Sequence, residues 1–373
     1  MANQRLLSLD TFRGMTVALM IMVNNPGDWG HIYAPLEHAE WNGCTPTDLV
    51  FPFFLFMVGV AIPFALEKQK DDKLSFGLSI RKILIRSLKL FGLGLFLAAF
   101  PRFDLPDVRI MGVLQRIAVV YLFCSILFLT TEKKTLIILF SILLVAYYLL
   151  ITLLPVPDAG AANLVAETNL GAWIDRLILG QKHLYRDAPW DPEGLFSTLP
   201  AIATGISGVL AGKWLHNHET SAAVKTTWLF LWGCIGLVVG WVWNEAGFPI
   251  NKSLWTSSYV CWTSGMAACI LASCYWLIDI KEYKRWTKPF VVYGVNAITV
   301  FFLSGLLVRI MSYIKILRAD GSKASLHTWL YETLIQPHFT DPKNASLVGA
   351  ITFILIWLAI LTAMYNKRVI VKV

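Results

Sequence analysis

Apolar stretches of bilayer length recur along the whole chain, and they constrain the fold more than any other feature. A helix crosses the ~30 Å hydrocarbon slab in about 20 residues. Windows of that kind fall at Leu9–Asn24, Thr47–Leu66, Ile80–Phe100, Ile110–Leu129, Leu136–Leu154, Ser197–Leu215, Val224–Asn244, Trp255–Ile278, Pro289–Met311 and Leu347–Tyr365. With 56% hydrophobic and only 15% charged residues, the 373-residue chain holds more apolar surface than one water-facing core can hide. The pattern predicts an all-α, polytopic membrane bundle of about ten transmembrane helices, forming a single domain over residues 1–373.

Basic residues gather in alternate loops: Lys68, Lys70, Lys73, Arg81 and Lys82, then Lys133 and Lys134, then Lys281, Lys284, Arg285 and Lys288, with Lys367 and Arg368 in the tail. The positive-inside rule makes these loops and both termini cytoplasmic. The opposite face then carries Asn25–Pro46, Pro155–Phe196 and Ser312–Ser346, the last two long enough to hold short helices of their own. A net charge of +8 spread over span ends reads as topology and anionic-lipid contact, and its scatter argues against nucleic acid. The first span has Asp10 and Arg13 near its start and no small-residue cleavage site, so it is expected to stay in place. Five cysteines lie inside predicted spans as small hydrophobes and Cys44 is alone in an outer segment, with no metal-binding spacing. Trp41, Trp173, Tyr185, Trp190, Trp255 and Tyr259 near span ends read as an interfacial belt.

Polar residues in costly places carry the functional signal. Asp10, Arg13, Asn24, Asp48, Arg116 and Asn296 lie in or beside apolar spans, where an ionisable group must be paired or face a wet cavity. Asp10 and Arg13, three residues apart, share a helix face and suit either a local ion pair or a helix-start cap. Arg116 reads as sitting about two turns inside its span. It therefore needs either a carboxylate such as Asp48 or the phosphates of a ligand. Any chemistry belongs to the segment after the first span, with Asn24, His38 and Asp48: a His in an outer loop is by itself more often an ordinary surface residue, and its neighbours strengthen the case.

The runs Arg5-Leu6-Leu7-Ser8-Leu9-Asp10-Thr11-Phe12-Arg13-Gly14, His38-Ala39-Glu40-Trp41-Asn42-Gly43 and Asp48-Leu49-Val50-Phe51-Pro52 open a longer series of motifs. Gly112-Val113-Leu114-Gln115-Arg116-Ile117, Asp191-Pro192-Glu193-Gly194-Leu195, Asn251-Lys252-Ser253-Leu254-Trp255-Thr256 with Ser258-Tyr259, and Gly294-Val295-Asn296-Ala297 continue it. Together they resemble the heparan-alpha-glucosaminide N-acetyltransferase family of transmembrane acyltransferases, over nearly the whole membrane domain. The chain departs from the lysosomal member in lacking a large amino-terminal luminal domain. It looks like a short bacterial relative, which implies the inner membrane and leaves the natural acceptor open.

The resemblance implies transfer of an acetyl group from cytosolic acetyl-CoA to the amine of a glucosamine unit on the far side, with His38 as the catalytic His and Asn24 as its partner. Imidazole ionises near neutral pH and can take the amine's proton, and a side-chain amide can donate to the carbonyl oxygen as it gains charge. Direct transfer is the simpler route, and an acetyl-imidazole intermediate on His38 is the other. Because the donor is cytosolic, a tunnel must admit its pantetheine arm. Arg13, Arg81, Lys82, Arg86 and Arg116 are the candidates for its phosphates. Asp48, Asp191 and Glu193 are candidates for sugar hydroxyls or the ammonium, and Trp41 and Trp255 for stacking on the sugar. Asp191-Pro192-Glu193-Gly194 also suits a turn at a helix start. Asn251, Lys252 and Asn296 join the substrate group as motif positions without a role. No metal is expected, and a homodimer is compatible with the family. Two other readings stay open: an amino-sugar transporter or flippase without chemistry, which the absence of a visible internal repeat disfavours, and a glycan O-acetyltransferase.

Overall fold

The computed structural model describes residues 6–70, 76–318 and 321–371. Arg5 of the first motif and Lys73 of the first basic loop lie outside them. The described chain forms α1 (Leu7–Asn24), α2 (Val50–Lys70), α3 (Phe76–Ala99), α4 (Val113–Thr130), α5 (Lys133–Leu153), α6 (Leu170–Leu179) and α7 (Leu195–His216). It continues with α8 (Ala222–Glu245), α9 (Ser257–Cys274), α10 (Lys288–Val295), α11 (Ala297–Tyr313), α12 (Leu326–Leu334) and α13 (Pro342–Asn366). Each expected apolar window coincides with one of these helices, or in one case with two. Among the described residues, seven helices are long and apolar enough to span a bilayer, and the bent pair α10–α11 passes the same test only when taken as one span. The charges of α1 (Asp10, Arg13) and α3 (Lys82, Arg86, Lys89) keep those two below that standard. α5, α8 and α13 turn rows of large apolar side chains outward, including Trp228, Trp232 and Trp241. Only lipid can solvate such surfaces, and the chain is an all-α integral membrane bundle.

One expected span is broken. Pro289–Met311 bends by 78° between α10 and α11, at Asn296. The break frees backbone groups that a continuous helix would pair, and the carboxamide of Asn296 ties the site to the chain end instead. Its Nδ2 donates to the Val369 carbonyl at 3.2 Å, and its Oδ1 accepts from the Val371 amide at 3.1 Å. The long connections do contain short elements: α6 in one, α12 and the hairpin Lys315–Leu317 with Lys323–Ser325 in the other.

Helix contacts in the middle of the bundle depend on missing side chains. Backbones pack this closely only where neither helix carries a Cβ at the crossing. A Cβ at Gly14 of α1 would stand 1.7 Å from the Phe290 carbonyl oxygen of α10, and one at Gly294 would stand 2.1 Å from that of Asp10. Between α2 and α7, a Cβ at Gly208 would lie 2.0 Å from the Phe56 carbonyl oxygen. Around this crossing α2, α4, α7 and α9 enclose the largest apolar core, with Trp255 inside it. Gly14→Leu and Gly208→Leu are each expected to lower the melting temperature of the detergent-solubilised protein, at a cost of at least about 1–3 kcal/mol from overpacking. Gly92→Ala, on α3 where nothing stands within 4 Å, should leave it unchanged.

Candidate active site

The segment between α1 and α2 ends in a tight turn, Pro46–Leu49, whose capping box joins Thr45 and Asp48. This turn buries the Asp48 side chain to 1% exposure while leaving that of His38 54% exposed. A buried carboxylate needs donors, and Asp48 collects them. Its Oδ2 accepts from the Ala39 amide at 3.0 Å and from the Thr45 amide and hydroxyl, each at 3.1 Å. Its Oδ1 lies 2.6 Å from His38 Nδ1 and 3.4 Å from Lys252 Nζ. A carboxylate can only accept, so the Asp48 contact is made with a His38 proton on Nδ1, the tautomer in which a neutral ring offers Nε2 as acceptor. Asp48 is expected to hold the sugar; in the structure its carboxylate is buried and its contacts go to His38, Lys252, Ala39 and Thr45.

His38, Asn24, Glu193 and Lys252 line a central cavity of about 140 Å³. Two cavities of about 400 Å³ flank it. One is lined by Asn24, Arg109, Gln115, Tyr185 and Arg309, and shares Met20, Asn24 and Phe301 with the centre. The other is lined by Arg13, Arg86, Tyr121 and Asn296, and shares Phe54 and Ile298 with it. The three chambers follow one another from the Arg13 end of the bundle to the Tyr185 end. Asn24, at the tip of α1, belongs to two of them, and its side chain makes no hydrogen bond among the described residues.

The other expected residues divide by place. Arg86 lines the Arg13 chamber with its guanidinium 4.7 Å from the Tyr121 ring centre, whereas Arg81 and Lys82 are exposed on α3 outside the chamber lining. Arg116 lies in the first turn of α4, not two turns inside it, at the His38 end of the bundle. It is fully buried, donates to the Gly194 carbonyl at 3.0 Å and to the Ser197 hydroxyl, and faces the Trp255 ring at 5.0 Å. It therefore stands apart from the phosphate candidates and does not pair with Asp48. Trp255, expected to stack on a sugar, is fully buried, with Nε1 donating to Thr204 Oγ1 at 3.1 Å. Trp41 is half-buried, bonded to the Leu164 carbonyl and edge-on to Trp190. Asn251 is fully buried and joins Asn42 to the Leu254 amide.

Asp191 and Glu193 are both taken up by Arg109, at 2.9 and 2.5 Å to Asp191 and 2.5 Å to Glu193. Burial alone would raise the Glu193 carboxyl, but Arg109, with Arg116 and Lys252 beyond it, holds it below its ordinary value. Burial likewise opposes the charge of Arg109, and the two carboxylates raise it above the usual guanidinium range. Arg109 and Arg309 were not anticipated. Arg109's partners lie 82 and 84 residues away, which no local motif signals. Arg309 is a charge inside an apolar span, the same signal that drew attention to Arg116.

A family model for heparan-alpha-glucosaminide N-acetyltransferase, catalytic, matches residues 5–239. The chain belongs to this family. The human heparan-alpha-glucosaminide N-acetyltransferase is 33% identical over 353 residues, covering 80% of this chain and 52% of that protein. The mouse protein of the same name is 32% identical over 355 residues, covering 80% and 53%. The chain thus spans about half the length of the curated relatives it matches. The matched region contains Asn24, His38, Asp48, Asp191 and Glu193, while Asn251, Lys252, Trp255 and Asn296 lie beyond it.

A further carboxylate braces this end of the site. Asp175 of α6 accepts from the Leu195 and Phe196 amides at 2.8 and 3.3 Å and so caps α7. Burial pushes its carboxyl from 3.8 up to about 6, against the pull of those two bonds. Between those values the folded protein keeps a proton that the unfolded chain has released, so stability falls as pH rises through the window and is flat above it. The shift is worth on the order of 3 kcal/mol at most. Thermal melts of wild type and Asp175→Asn between pH 4 and 7 should show that slope in the wild type only.

Proposed function

We propose that this protein transfers the acetyl group of acetyl-CoA to the amine of a glucosamine-type sugar, with donor and acceptor reaching the centre from opposite sides of the membrane. The observation that carries the reading is the His38–Asp48 pair facing the small chamber between two larger ones. The Arg13 chamber has what a cytosolic acyl donor needs: guanidinium groups for phosphates at its mouth and an apolar passage past Phe54 for the arm. The basic loops put that end in the cytosol. The Tyr185 chamber, with its polar and cationic wall, takes the sugar on the other side.

His38 Nε2 removes the amine proton as nitrogen attacks the thioester, and Asp48 holds the ring in the tautomer this requires. The Asn24 amide donates to the carbonyl oxygen as charge develops there. Both substrates meet in one narrow space, which favours direct transfer over an acetylated His38. The reading places the protein in the inner membrane of a bacterium.

Labelled acetyl-CoA and glucosamine, incubated with the purified protein in detergent, should give N-acetylglucosamine. His38→Ala should lose at least about 10²–10⁴-fold in rate, and Asn24→Ala about 10²–10³-fold. No protein-bound acetyl should accumulate when acceptor is omitted. Uptake of unmodified amino sugar by proteoliposomes, with no acetylated product, would mean a transporter instead. A product acetylated on oxygen would change the acceptor group.

A further inference from the structure

The motif Asn251–Thr256 lies across the chain from His38 and has no place in the proton transfer described above. Its backbone is pinned unusually tightly. Asn251 Oδ1 accepts from the Leu254 amide at 2.8 Å, and Thr256 Oγ1 accepts from the Asn251 amide at 3.0 Å. The Trp255 amide donates to the Lys252 carbonyl at 3.1 Å. Trp255 itself sits at φ +52°, a left-handed conformation that bulky side chains avoid, and its buried ring locks it there. Strain of this kind persists only where surrounding structure over-determines it, and it gathers at working sites. It holds the backbone of the loop that carries Lys252.

Lys252 Nζ stands 3.0 Å from His38 Nδ1 and 3.4 Å from Nε2. A point so nearly equidistant from both ring nitrogens, without colliding with the carbons between them, lies over the face of the imidazole. The ammonium therefore leaves the Nε2 lone pair open. Its side chain is 20% exposed, 3.4 Å from Asp48 Oδ1, and it lines the same central chamber as Asn24 and His38.

We infer that Lys252 completes the oxyanion site with Asn24, its ammonium donating to the thioester oxygen as that oxygen becomes negative. This rests on the acetyl-transfer reading. The amine lone pair forms the new C–N bond, and the C=O electron pair moves onto oxygen, where Lys252 and the Asn24 amide meet it. His38 Nε2 takes the N–H proton. The electron pair then returns to re-form C=O, the C–S bond breaks, and the CoA sulfur leaves with that bond's electrons and receives the proton from His38. A charged donor strengthens as the acceptor gains charge, so the effect falls on the transition state more than on bound substrate.

The test is steady-state kinetics of Lys252→Met, Lys252→Gln and Lys252→Arg beside the unaltered protein, with melting temperatures and acetyl-CoA binding. Methionine and glutamine should each lower kcat by about 10²–10³-fold with both KM values within about threefold. Arginine should keep most of the rate. In the Asn24→Ala background the added loss should be smaller than in isolation, because both groups serve one oxygen. A kcat retained by methionine or glutamine, or a loss seen only in the KM for the sugar, would overturn the role. So would a glutamine variant that loses rate in step with its melting temperature. If the unaltered protein makes no acetylated product, the acetyl-transfer reading fails and takes this inference with it.

Discussion

The buried carboxylate of Asp48 organises this end of the molecule. Its side chain is almost wholly removed from water, and an ion there persists only if its lone pairs find donors. The donors come from separate parts of the chain: the turn at Thr45, the backbone at Ala39, the ring of His38 and the ammonium of Lys252. The Asp48 carbonyl also accepts from the Tyr259 hydroxyl of α9 at 2.6 Å. One residue thus gathers the loop before α2 and the motif before α9 through its side chain, and α9 through its carbonyl. A requirement of solvation becomes a geometry.

That geometry has to be held against lipid, which offers no hydrophobic force to press helices together. The missing side chains at Gly14, Gly294, Gly59 and Gly208 supply the alternative, letting α1 meet α10 and α2 meet α7 backbone to backbone. The tip of α1 presents Asn24 and the turn leading into α2 presents Asp48. Each close crossing thus holds the helix that leads into or out of the His38 segment. The break at Asn296 lies at the other end, where the residues on both sides of it, from Gly294 to Ile298, line the Arg13 chamber.

Much of the fold was legible in the sequence because hydropathy in a bilayer is a nearly one-dimensional signal. Every expected apolar window found its helix. The bend at Asn296 was not visible, since one polar residue barely moves an average over a whole window. The fold brings residues of four segments, Asn24, His38, Glu193 and Lys252, to one chamber, but motifs alone do not tell a residue that faces a cavity from one that holds another residue in place. Trp255 and Asp48 look like ligand-binding types, and only burial reveals the tryptophan as core and the carboxylate as support for His38. Arg109 was missed for a different reason. Its meaning depends on Asp191 and Glu193, which the fold brings from another loop, and no local spacing encodes that pairing.

A chain of cavities from one end of a membrane bundle to the other is, by itself, as suitable for moving a solute as for joining two substrates. The difference lies in what the narrow part is built to do. A translocation path must let its cargo through, so its constriction benefits from groups that bind weakly and reorient. Here the constriction is occupied by an imidazole whose tautomer is dictated by a buried carboxylate and whose face is covered by a pinned ammonium. Fixed dipoles and charges of this kind suit charge separation at one point, which is the requirement of a transition state, and on that ground we propose two substrates joined here over one solute passed through.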